Sequence, residues 1–254
     1  MIRRGFTLIE MVLTLLVSSI LVLGIAGFVE LGVKGYADSV DRQRLQTQAK
    51  FVLEKMAREV RHAVPNIFIS GGNCFSFYPI IDSGFYVVSG ADINFIVGDP
   101  EATVATLKDK YLLIHPSQTL AAGQNLANIT HNSFPLTNMV EHVSSGAVGL
   151  TFSLPDRAVD LVGGSVSQRQ YIAAPNKQIS YCLVSERVVR GEGDGSLPLT
   201  TSPITELGSA SVNGTLSYTP ATVQHNGVVH IDLNFAQSGE STHFQQDIQV
   251  LNVP

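Results

Sequence analysis

The sequence predicts an α+β fold in which one long N-terminal helix packs on an antiparallel β-sheet domain. Three observations predict it. Residues 6–64 contain no proline, and Leu45, Ala49, Val52, Met56, Val60 and Ala63 recur at helical steps of three and four. After Pro65 the chain changes to short β-branched runs separated by Gly, Pro, Asn and Ser.

The helix begins in a membrane-spanning pattern. Met11 to Val29 is a run of 19 uncharged residues, the length a bilayer core requires of a helix. The short flank before it carries Arg3 and Arg4, which keeps the N-terminus cytoplasmic and sends the bulk of the chain outward. A cleaved signal peptide, with Gly24-Ile25-Ala26 as its processing site, and a plain anchor both fit this pattern. Neither explains Glu10, a carboxylate inside the apolar stretch that costs on the order of 2.5–3.5 kcal/mol on insertion scales unless it finds a partner.

From Leu45 onward the same helix turns amphipathic. Its other face holds Lys50, Glu54, Lys55, Arg58, Glu59 and Arg61, and the i,i+4 pairs Glu54–Arg58 and Lys55–Glu59 read as a solvated surface. Pro65 is the expected stop, because the residue before a proline is pushed out of the helical region. An uninterrupted helix from Phe6 to Val64 would be about 88 Å long at 1.5 Å per residue. Residues 6–31 are its membrane half and 32–64 its amphipathic half.

Residues 65–254 form the sheet domain. Expected strands are Cys74–Tyr78, Ile93–Val97, Tyr111–Ile114, Val148–Ser153, Ile179–Val184, Arg187–Arg190, Leu216–Tyr218, Val228–Phe235 and Phe244–Val250. Ser185-Glu186 predicts a tight hairpin turn, and residues 191–214 read as a long loop. Near the C-terminus Val229, Ile231, Leu233 and Phe235 alternate with His230, Asp232 and Asn234, so the apolar set should pack on the amphipathic helix.

Charge and chemistry narrow the function. From residue 63 to the end there are seven basic and fifteen acidic residues, a net −8, which disfavours nucleic acid as a partner. The chain has no nucleophile elbow, zincin, P-loop or dinucleotide-binding motif. His230, Asp232 and His243 can meet on the polar face of the terminal hairpin, where a subunit-facing or solvated surface is the plainer reading. Glu192 and Asp194 in a glycine-rich stretch supply two carboxylates, few for a calcium site that takes six to eight oxygens. No cofactor or metal is expected. Cys74 and Cys182 are two thiols in a reducing compartment or one disulfide in an exported domain, and the outward topology favours the disulfide.

The N-terminus resembles a known family. Arg3-Arg4-Gly5-Phe6-Thr7-Leu8-Ile9-Glu10 is similar to the class III signal of type IV pilins and pseudopilins. The resemblance implies a leader of residues 1–5, cleavage between Gly5 and Phe6 by a prepilin peptidase, and N-methylation of Phe6. It implies a pilin-like fold and makes Glu10 the fifth mature residue, an assembly contact for the new amine of a neighbouring subunit. The segment Ala49 to Ala63 resembles minor pilins and minor pseudopilins of the PilW and J types. Ile179-Ser180-Tyr181-Cys182 and the final eight residues are most similar to the MshO-type biogenesis proteins of mannose-sensitive haemagglutinin (MSHA) pili.

These resemblances imply a non-enzymatic minor pilin, single-pass in the bacterial inner membrane with a periplasmic domain. Its implied partners are prepilin peptidase, other minor pilins, the major pilin and the inner-membrane assembly platform. A minor pseudopilin of a type II secretion system is the alternative, with a membrane-anchored adhesin and a periplasmic hydrolase outside the class.

Overall fold

A computed structural model describes residues 7–142, 151–165, 167–193, 204–222 and 225–250. Helix α1 (Leu8–Arg61) is unbroken. It stops earlier than Val64 because the backbone is claimed by strand pairing: Ala63 sits opposite Pro79, and Ile80 N–H donates to His62 O at 2.9 Å. Pro65 therefore lies inside a strand, at an irregularity in register between Ala63 and Phe68 where Asn66 takes a positive φ of 62°.

The strands in chain order are β1 (Ala63–Gly71), β2 (Cys74–Pro79), β3 (Asp82–Ser89), β4 (Asp92–Val97), β5 (Tyr111–Ile114), β6 (Ser133–Pro135), β7 (Val140–His142) and β8 (Thr151–Leu154). They continue as β9 (Arg169–Ala173), β10 (Gln178–Val184), β11 (Arg187–Gly193), β12 (Ile204–Glu206), β13 (Ser211–Thr219), β14 (Val228–Gln237) and β15 (Glu240–Gln249). A one-turn helix, α2 (Val104–Leu107), precedes β5.

Three antiparallel sheets result, in the orders β1-β2-β10-β11-β12, β13-β14-β15 and β6-β5-β9-β3-β4-β8-β7. The last is an insertion: β2 and β10 are neighbours in the first sheet, and the seven-stranded sheet is built from the chain between them.

Layering follows from the alternation of side chains. The buried stripe of α1, Leu45, Ala49, Val52, Met56 and Val60 with Leu53 and Ala57 added, packs on Phe75, Phe77 and Tyr181 of the five-stranded sheet. The apolar row Val229, Ile231, Leu233 and Phe235 closes the same core, as its alternation predicts. Phe68 stacks on Tyr218 with ring centroids 4.4 Å apart and lies 5.6 Å from Phe77, so aromatic rings join the two sheets under the helix. On the other side Val64, Ile67, Ile69 and Tyr78 meet Leu113, Tyr171 and Ala173 of the seven-stranded sheet. The order is helix, five- and three-stranded sheets, then seven-stranded sheet.

Several local expectations need correction. The stretch 191–214 is not one loop, since Gly191–Gly193 ends β11, β12 covers Ile204–Glu206 and β13 begins at Ser211. β12 is short enough to lack a period, and β13 has Gly214 in its middle. There φ is +145° and an added Cβ would stand 2.0 Å from Asp232 O, so only glycine lets β13 approach β14. β1, β3, β6, β7 and β9 are strands that the sequence pattern does not predict. β1 is buried on both faces and so shows no alternation, β3 has an apolar face left open, and the others have five residues or fewer. Residues 148–150 of the expected Val148–Ser153 strand lie outside the described residues.

Candidate functional site

The N-terminal end of α1 is apolar and uncovered. Every residue from Thr7 to Val40 is exposed, and the first buried position is Leu45. The most apolar 18-residue window has a mean hydropathy of 2.6, long and apolar enough to cross a membrane. Its few hydroxyls are satisfied within the helix: Thr14 donates to Met11 O at 2.9 Å, Ser18 to Leu15 O at 3.1 Å and Ser19 to Leu16 O at 2.8 Å. A helix carrying its own hydrogen bonds is what a lipid environment demands. Among the described residues nothing lies within 4 Å of a Cβ added to Gly24, Gly27, Gly32 or Gly35, so no packing among them requires these glycines.

Glu10 occupies the first turn. Thr7 is extended at φ −84°, ψ 151° and begins the helix, and Glu10 Oε2 lies 3.5 Å from both the Thr7 amide and the Thr7 hydroxyl. This is a loose capping box, with a carboxylate at the positive end of the helix dipole. Arg3, Arg4, Gly5 and Phe6 lie outside the described residues.

Farther along, a second polar cluster fastens α1 to the sheet. Glu59 accepts from the Tyr181 hydroxyl at 2.7 Å and from Arg190 Nε at 2.9 Å, and Lys55 Nζ is 3.2 Å away. Arg190 also reaches Glu192 at 2.9 Å. Burial alone would raise the Glu59 carboxyl, but the hydrogen bonds from Tyr181 and Arg190 and the Arg190 charge hold it below its ordinary value. Burial and the neighbouring Glu59 push the Tyr181 phenol up. The helix face carrying Glu59 is thus not simply solvated: the Lys55–Glu59 pair forms, but its carboxylate also bridges to the sheet. Nothing in the sequence pairs Glu59 with residues more than a hundred positions away.

The remaining expected groups separate. His230 Nδ1 is 2.7 Å from Asp247, while His243 Nε2 is 2.8 Å from Asp232, so the three-residue cluster becomes two exposed His–Asp pairs. Register explains this, because Asp247, absent from the expected set, stands directly opposite His230. Among the described residues no group of three or more metal-ligating side chains converges. Glu192 is engaged by Arg190, and Asp194 lies outside the described residues.

Cys74 and Cys182 are bonded. They are directly opposed on β2 and β10, and Ser185-Glu186, with φ of 48° and 59°, forms the tight turn expected beyond Cys182.

Residues 1–26 match the family described as the prokaryotic N-terminal methylation motif. No curated protein and no solved structure matches the chain. The match covers Gly5, Phe6 and Glu10 together with the start of the apolar helix.

Proposed function

We propose that this chain is a minor pilin, processed by prepilin peptidase between Gly5 and Phe6, N-methylated on Phe6, and active in priming or assembling a type IV pilus of the MSHA type. The observation that carries the reading is the methylation motif over residues 1–26 running directly into an exposed apolar helix, which continues as the spine of a β-rich domain. Arg3 and Arg4 supply the leader charge and retain the N-terminus in the cytoplasm. Residues 6–31 hold the protein in the inner membrane, with the sheet domain periplasmic, where its disulfide forms.

The role is mechanical rather than catalytic. An uncovered apolar helix suits packing against the helices of other subunits as the chain leaves the bilayer. In that setting Glu10 compensates the methylated amine of a neighbouring pilin, because a buried charge is tolerated only when paired. The other minor pilins, the major pilin and the inner-membrane platform are the partners this assembly requires. The same motif suits a minor pseudopilin of a type II secretion system, and the genes flanking this one discriminate the two.

The test is N-terminal sequencing of the membrane-extracted protein from cells with and without their prepilin peptidase. The expected first residue is methylated Phe6, formed only when the peptidase is present. A chain starting at Gly27, or an intact leader in peptidase-competent cells, would overturn the reading.

A further inference from the structure

One face of the seven-stranded sheet is only half covered. Leu113, Tyr171 and Ala173 on this face lie beneath Ile67, Ile69 and Tyr78 of the five-stranded sheet. Register carries the same face on to Phe85, opposite both Arg169 and Ile96, and to Val87, opposite Asn94. There the cover ends: Phe85 is 53% exposed, Val87 51% and Ile96 45%. Two shallow depressions, of about 400 and 220 Å³, meet at Phe85 and Ile96.

The chemistry of this patch selects its occupant. Its depressions are too open to enclose a small molecule, which typically loses 70–90% of its surface in a binding site. The domain's net −8 disfavours nucleic acid. The covered half of the face is already closed by another β-layer, so the open half continues an interface of sheet on sheet. Its charges are self-complementary. Arg169 is exposed in the Phe85 row, and Asp92, opposite Ser89, lies two rows along the same face, with the Val87–Asn94 row midway. Among the described residues neither Arg169 nor Asp92 makes an ion pair, although Asp92 accepts from the Asp156 amide at 3.0 Å.

We propose that a second copy of this chain stacks on the open face, Phe85, Val87 and Ile96 against their equivalents, about a two-fold axis running between the sheets at the Val87–Asn94 row. Such an axis, set obliquely to the strands and perpendicular to the line from Arg169 on β9 to Asp92 on β4, exchanges these two positions and brings Arg169 of each copy to Asp92 of the other. An isologous contact of this kind closes on itself as a dimer. It leaves α1, on the opposite side of the five-stranded sheet, free for other subunits.

The experiment uses the full chain in detergent with Val87→Cys and a short bis-maleimide, Cys74 and Cys182 being bonded to each other. The expected product is a covalent dimer of the chain, and Val159→Cys, 79% exposed beside the other face, should give none. Phe85→Ser should abolish the Val87→Cys dimer. Arg169→Asp and Asp92→Arg should each reduce it, and the two together should restore it. Absence of the dimer, equal crosslinking at Val159→Cys, crosslinking to a different protein only, or indifference to the charge reversals would each overturn the proposal.

Discussion

Glu59 sits where the helix meets the sheet, and its three donors make it a test of that junction. Hydrogen bonds to a charged group contribute roughly 1.5–3 kcal/mol, and removing the carboxylate leaves the partly buried Arg190 short of its partner. Glu59→Ala should lower unfolding free energy by about 2–3 kcal/mol, and Tyr181→Phe by about 1–2 kcal/mol, in chemical denaturation. The pH dependence has a definite sign. Because the folded carboxyl is held below its ordinary 4.5, its contribution is complete above that value and is lost as pH falls through the lower folded-state value. Glu59→Gln should remove this part of the acid-side loss of stability, seen as a flatter profile below about pH 4.5. Glu10 is the contrasting carboxylate: exposed, and accepting only long hydrogen bonds from Thr7 among the described residues. Glu10→Val should leave the melting temperature of the sheet domain and the disulfide unchanged while reducing co-purification with partner pilins several-fold. Undiminished association at matched membrane levels would reject the proposed assembly role.

At the scale of elements, the disulfide acts on two strands and on everything inserted between them. Cys74 and Cys182 are 108 positions apart, yet β2 and β10 pair directly, so the bond closes the base from which the seven-stranded sheet grows. Loop entropy gives such a crosslink up to roughly 4–5 kcal/mol. Reduction should therefore lower the melting temperature of both the helix–sheet core and the inserted sheet, monitored by far-UV circular dichroism. A thiol-reactive dye should find no free thiol before reduction. The terminal hairpin is held differently. Leu233 on β14 is fully buried against α1 and its neighbours, and Leu233→Ala should cost about 2–5 kcal/mol with no compensating crosslink nearby.

For the whole molecule, helix α1 divides into an arm and a spine. No described residue before Leu45 is buried, so the arm adds nothing to the core that the sheets need. A fragment lacking residues 1–30, produced under oxidising conditions, should be soluble, retain the Cys74–Cys182 bond and unfold cooperatively. Aggregation or loss of that bond would mean that the arm takes part in folding.

Much of this plan is legible in the sequence because it depends on local patterns. The apolar run through Val29, the stripe from Leu45 to Val60, the Ser185-Glu186 turn and the alternation in β14 each report a period or a turn that nearest neighbours set. The methylation motif is likewise a contiguous string. What the tertiary structure alone decided depends on which distant segments meet: the seven-stranded insertion between β2 and β10, the double burial that hides β1, the partnership of Glu59 with Tyr181 and Arg190, and the split of the histidines between Asp247 and Asp232. Side-chain period shows which face of a strand is apolar but not which layer will cover it, and so the half-covered face around Phe85 is visible only once the sheets are assembled.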